Sequence, residues 1–130
     1  MRPLLAALAL LAACAEAPAP PGVRHVDAEA ARTLARAPGL TVLDVRTPAE
    51  HADGAIPGSV NADWRRDGGA GFADAVAALG LAPDAPVLLV CESGRRSTAA
   101  MAALAAAGHT DLIHLDGGMT AWRAAGLPME

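Results

Sequence analysis

The apolar residues of this chain gather in three short runs, with stretches of helical period between them. "TVLDV" (41–45), "VLLVC" (87–91) and "DLIHL" (111–115) are β-branched or leucine-rich and read as strands buried on both faces. Asp27 is an N-cap for "AEAARTLARA", a helix that Pro38-Gly39 ends. Thr47, Pro48 and Glu50 spell a capping box with proline at its first helical position, so a helix starts two residues after the first strand. "FADAVAALG" (72–80) puts Phe72, Val76 and Leu79 on one helical face. "STAAMAALAAAG" (97–108) is rich in the best helix former and is closed by Gly108. "TAWRAAG" (120–126) is a last short helix. "DGAIPGSVNA" is turn-rich, and "GGAG" (68–71), with no strand before it, reads as loop rather than dinucleotide fingerprint. Strands alternating with helices at this spacing predict an α/β fold, a small parallel sheet with helices on both faces.

Before residue 23 the pattern changes. "MRPLLAALALLAA" is one arginine followed by Leu and Ala, an export signal too short and wrongly flanked to span a membrane. "LAAC" (11–14) resembles the lipobox of bacterial lipoproteins. That resemblance implies cleavage before Cys14 and lipidation of its thiol. The expected organisation is a signal at 1–13, a lipidated cysteine with a Pro/Ala-rich tether at 14–22, and one domain at 23–130. The eight residues of "AEAPAPPG" reach roughly 25 Å if extended. Such a protein would sit on the periplasmic side of a bacterial membrane, held by lipid. The outer membrane is favoured, because Ala15 is not the aspartate linked with inner-membrane retention in enteric bacteria. An ordinary secretory signal, giving a soluble periplasmic protein, is the alternative.

Charge excludes one class of partner. The net charge is −4, the ten basic residues are all arginine, and no basic run exceeds two, so nothing tracks a nucleic-acid backbone. Cysteine usage points elsewhere. With Cys14 capped by lipid, Cys91 has no intramolecular partner in an oxidising compartment. An unpaired exported thiol is either buried and inert or kept for its reactivity.

The surroundings of Cys91 favour reactivity. It ends an apolar strand, and ligands of parallel α/β sheets bind where strand ends feed helix N-termini. The following loop, Glu92, Ser93, Gly94, Arg95, Arg96 and Ser97, offers backbone N–H groups, a helix N-terminus and two guanidinium groups. All of these favour thiolate, and Gly94 lets the loop turn inward. Glu92 opposes thiolate and anion alike. Adjacent arginines do not face the same way, so at best one of Arg95 and Arg96 reaches a bound anion. Asp44 and Arg46 share a strand face, where they could pair and brace the site. His25, His51, His109 and His114 show no metal-ligand spacing, and His114 reads as a strand residue. Trp122 reads as a core anchor.

The chain from about His25 to Met129 resembles the single-domain rhodaneses, the thiosulfate sulfurtransferases. "VLDVRTPAEHADGAIPGSVNA" is similar to that family's first signature, "VLLVCESGRRS" to its catalytic strand and loop, and "HLDGGMTAWRAAGLP" to its closing signature. Ala55, where many members carry histidine, and His51, where an aromatic is common, depart from the pattern. The resemblance implies that the Cys91 thiolate takes the outer sulfur of thiosulfate, and that the resulting persulfide passes it to cyanide or a thiol. It implies no cofactor and no metal. Three rivals stand beside it: a non-catalytic rhodanese-like binding module, a persulfide carrier for one protein partner, and a relative of the dual-specificity phosphatases or arsenate reductases. The phosphatase pattern places five residues between cysteine and arginine, which here would fall on Ser97; Arg96 follows after four. The shorter loop suits a single sulfur atom better than a phosphate.

Overall fold

The computed structural model describes residues 23–130. The signal, Cys14 and the tether expected in the sequence lie outside the described residues. Five parallel strands form one sheet: β1 (Val23–Val26), β2 (Thr41–Asp44), β3 (Val60–Asn61), β4 (Val87–Val90) and β5 (Leu112–Leu115), in the order β1-β5-β4-β2-β3. The helices are α1 (Ala28–Ala35), α2 (Pro48–Ala52), α3 (Ala70–Ala78), α4 (Arg95–Ala106) and α5 (Gly118–Ala124). Among the described residues no helix is long and apolar enough to cross a membrane.

The three apolar runs are the three inner strands, and period 2 deals their side chains to opposite faces. Leu43, Val45, Val87, Leu89, Cys91 and Leu112 face α3 and α4, where Phe72, Val76, Ala100, Met101 and Leu104 cover them. Val42, Leu88, Val90, Ile113 and Leu115 face α1 and α5, beneath Ala28, Ala31, Met119 and Trp122. Val87, Leu88, Leu89, Leu112 and Ile113 are at most 1% exposed. Burying side chains of this size is worth about 1.5–3 kcal/mol each, and this double-sided core holds the strand ends in register.

Neither edge strand shows in the apolar pattern of the sequence. β1, "VRHV", carries Arg24 and His25 on an exposed edge, so it lacks the apolar run that marked the others. β3 is two residues long inside a turn-rich stretch, its Val60 and Asn61 beside Leu43 and Asp44. Helix starts also move. The "GGAG" loop gives way to a 3₁₀ turn at Arg66–Gly69, and α3 begins at Ala70 rather than Phe72. α4 begins at Arg95 rather than Ser97, with Gly94 ahead of it at φ +103°. α5 begins at Gly118 rather than Thr120.

The strand order creates a switch point. The connection after β2 leads outward to β3, and the one after β4 leads the other way to β5. A crevice therefore opens between the carboxyl ends of β2 and β4, where such sheets take ligands. Asp44 and Arg46 come from one side of it and Cys91 from the other.

Candidate active site

Cys91 directly follows β4 and is 1% exposed. Its Sγ accepts a hydrogen bond from the Gly94 N–H at 3.0 Å and lies 3.2 Å from the Ser97 hydroxyl. Burial pushes the thiol up. The Ser97 hydroxyl and the N–H groups of Ser97, Gly94 and Ser93 outweigh that and hold it below its ordinary value of 9.0. The loop thus wraps the sulfur in donors, and the positive φ of Gly94 turns its N–H inward. A broad concavity of about 550 Å³ opens beside this loop, lined by Ser93, Gly94, Arg95, Thr98, His114 and Asp116 among others. An apolar cavity of about 490 Å³ between α3 and α4 is lined by Phe72, Val76 and Leu104 among others, and not by Cys91.

The loop is also held from behind. The N–H groups of Met119 and Thr120 donate to the carbonyls of Cys91 (2.8 Å) and Glu92 (3.1 Å). This close approach requires glycine at 118, where φ is +56° and a Cβ would lie 2.3 Å from the Cys91 carbonyl oxygen.

The two arginines of the loop are not equivalent. Arg96 is engaged by both carboxylate oxygens of Glu50, while Arg95 is exposed and has no ion-pair partner among the described residues. Glu92, expected to oppose a thiolate, is neutralised by Arg123 and lies 3.5 Å from Arg46. Its carboxylate is thereby committed to cations rather than to the sulfur.

Asp44 and Arg46 lie at the end of β2, 2% and 1% exposed. Arg46 donates through Nε at 3.0 Å to Asp44 Oδ1 and through Nη2 at 2.8 Å to Oδ2, a bidentate pair. Its Nη2 also donates to the Gly54 carbonyl, and His51 Nδ1 lies 2.8 Å from Asp44 Oδ2. Asn61 donates to the carbonyls of Asp44 and Arg46. These groups bind the turn-rich stretch to the sheet and frame the crevice without touching Cys91.

Two residues important to the site carried no functional reading in the sequence. His114, on β5, places Nε2 2.7 Å from the Ser97 hydroxyl and Nδ1 2.8 Å from Asp116 Oδ1. Asp116 Oδ1 also meets His25 Nδ1 at 2.8 Å. His25 and His114 are register partners on adjacent strands, so the topology gathers what the sequence keeps 89 positions apart. Two imidazole N–H groups donating to one carboxylate account for the two close contacts at Asp116. Glu50, read only as a helix cap, both caps α2 and grips Arg96.

Residues 27–125 match the rhodanese-like domain family. The chain belongs to that family. As a rhodanese-like domain it is 38% identical over 101 residues to thiosulfate sulfurtransferase GlpE of Pseudomonas aeruginosa strain LESB58, covering 78% of this chain and 84% of that protein. The crystal structure of a thiosulfate sulfurtransferase from Pseudomonas aeruginosa is similar with a TM-score of 0.70 and 31% identity, over 89% of this chain and 21% of that one. A Rhodopseudomonas palustris protein described as a possible tyrosine phosphatase is also similar, with a TM-score of 0.63 and 26% identity over 83% and 85% of the two chains. The matched Pseudomonas proteins are thiosulfate sulfurtransferases, and the Rhodopseudomonas protein shares the fold.

Proposed function

We propose that this rhodanese-like domain is a thiosulfate sulfurtransferase that works through a persulfide on Cys91. The observation that carries the reading is the cradle of N–H and hydroxyl donors around a thiol held below its ordinary pKa. The Cys91 thiolate attacks the outer sulfur of thiosulfate; an S–S bond forms, the bond from that sulfur to the sulfite group breaks, and sulfite leaves with the electron pair. The anionic persulfide left on Cys91 is stabilised by the same donors. Cyanide or an acceptor thiolate then takes the outer sulfur and regenerates the Cys91 thiolate, a covalent two-step cycle. The Cys–Arg spacing, one residue shorter than the phosphatase pattern, weighs against a phosphatase.

The test is mass and product. After incubation with thiosulfate, the intact protein gains one sulfur atom, loses it on adding cyanide and yields thiocyanate; Cys91→Ala does none of this. An unchanged mass with both thiosulfate and polysulfide would leave the binding-module reading in its place.

The proposal extends to location: an exported protein, lipidated at Cys14 and anchored to the periplasmic side of a bacterial membrane. It is supported by the "LAAC" pattern after an apolar run. Cys14→Ser, followed by fractionation of expressing cells, moves the protein out of the membrane fraction if the lipid is the anchor.

A further inference from the structure

A continuous line of polar contacts leads from the sulfur to the surface. Cys91 Sγ lies 3.2 Å from Ser97 Oγ, Ser97 Oγ lies 2.7 Å from His114 Nε2, and His114 Nδ1 lies 2.8 Å from Asp116 Oδ1. Asp116 is fixed from the far side by His25 Nδ1 at 2.8 Å. His114 is 4% exposed, whereas the side chains of Asp116 and His25 are 57% and 53% exposed. Only the outer end of the line reaches water freely.

Each contact of this line needs one hydrogen. Ser97 has one hydroxyl hydrogen. When it goes to a Cys91 thiolate rather than to the Gly94 carbonyl, the 2.7 Å contact with His114 is satisfied by a hydrogen on Nε2, which also has the Gly94 carbonyl at 3.3 Å. The Nδ1 contact to Asp116 requires a hydrogen as well. Burial alone would raise the Asp116 carboxyl, but hydrogen bonds from His25 and His114 hold it below its ordinary value, so it is a carboxylate that can only accept. With both ring nitrogens protonated, the partner of a Cys91 thiolate is a His114 imidazolium. In the thiol form the hydroxyl hydrogen returns towards Nε2 or the Gly94 carbonyl, 3.1 Å away, and His114 is neutral.

We infer that His114, acting through Ser97, is the base that holds the Cys91 proton, and that Asp116 and His25 fix it for that task. The step balances without another reactant. The S–H bond of Cys91 breaks as Ser97 Oγ takes its proton, and the Ser97 O–H bond breaks as its own proton passes to His114 Nε2. Nothing is oxidised or reduced. Thiolate attack on thiosulfate and sulfur delivery to cyanide consume no proton, so the imidazolium persists through the cycle. His114 is a positioning residue: it meets the nucleophile only through the serine.

The groups facing His114 are few. β1 contributes His25 and the end of β5 contributes Asp116. α4 contributes Ser97, with Arg95 lining the same concavity. β4 contributes the apolar neighbour Leu89 and, beyond the serine, Cys91. Of the charges, Asp116 and a Cys91 thiolate are negative and Arg95 is positive. The arginine is exposed and screened by solvent, while the other two are in hydrogen-bonded line.

The inference deepens the sulfurtransferase reading and rests on it only for what the thiolate attacks. The test therefore uses a reagent that needs no sulfur donor. The rate of Cys91 alkylation by iodoacetamide is measured from pH 5 to 10 on the full chain, with labelling read at the Cys91 peptide by mass. Compared are wild type, His114→Gln and Asp116→Asn. Glutamine can still donate to Ser97 but takes no proton. His114→Gln should react about tenfold more slowly at neutral pH and move the profile up by about one unit, with rates converging at alkaline pH. A profile that superimposes on wild type, in a variant whose circular dichroism shows it folded, overturns the inference. If His114→Gln does not fold, Asp116→Asn decides: the same upward displacement supports the relay, and an unmoved profile overturns it. A relay seen without sulfur loading by thiosulfate would refute the donor and leave the relay standing.

Discussion

Glu50 and Arg96, forty-six positions apart, meet through two parallel hydrogen bonds, Nη1 to Oε1 at 2.6 Å and Nη2 to Oε2 at 2.8 Å. The pair ties α2, the helix after β2, to α4, the helix after Cys91. Arg96, helped by the Thr47 cap, holds the Glu50 carboxyl at about 2 against an ordinary 4.5. A carboxyl depressed by folding contributes stability that is complete above about 4.5 and is lost as pH falls through about 2. With a third of the Glu50 side chain exposed, that contribution is about 1–2 kcal/mol after allowing for solvent screening. Urea unfolding midpoints should therefore fall across this window in wild type and stay flatter in Glu50→Gln.

The unequal placement of the two loop arginines separates binding from stability. Arg95→Ala should raise KM for thiosulfate severalfold with little change in kcat and no change in melting temperature, and added salt should shrink the difference. Arg96→Ala should lower the melting temperature as well, because Glu50 loses its partner. A kcat loss confined to Arg95→Ala would place that guanidinium in the transition state instead.

Removing one member of the buried Asp44–Arg46 pair leaves a charge without its partner. Arg46→Met should lose about 3–5 kcal/mol of stability, and Asp44→Asn in the same chain should recover part of it. Chemical denaturation of the two singles and the double gives the coupling directly. Additive losses would show that Gly54, His51 and Asn61, not the pair, hold this corner.

The approach of α5 to the back of the loop makes Gly118 the least replaceable glycine near the sulfur. Gly118→Ala needs both a left-handed backbone and about an ångström of movement by the Cys91 carbonyl. It should destabilise the fold by about 1–3 kcal/mol and slow thiocyanate formation by more than the folded fraction explains. Activity normalised to folded protein checks this.

The inner sheet was legible because burial on both faces leaves an unbroken apolar signature, as in "VLLVC". The edge strands were not, because β1 needs no such run when one side meets water, and β3 is too short to show a period. Cys91 and its loop were legible for a local reason: strand, glycine turn and arginines are consecutive. His114 was not, because its partner Ser97 becomes a neighbour only when β5 lies beside β4. Yet a signal existed. His114 and Asp116 stand two apart, the spacing that made Asp44 and Arg46 a candidate pair, and the same argument applied to "HLD" would have raised them as a unit.

The depth of the sulfur sorts its reaction partners by shape. A disulfide between protein chains needs the two Cα atoms to come within about 7 Å, which a 1%-exposed cysteine at the floor of a folded loop denies to any partner with a broad surface. A slender donor that carries its reactive sulfur at one end can still enter. In the proposed cycle, loading adds a second sulfur about 2 Å beyond the first, so the atom to be given away is the one within reach. A fold used in this way would keep the unloaded thiol out of adventitious cross-links and present the cargo only when there is cargo to present.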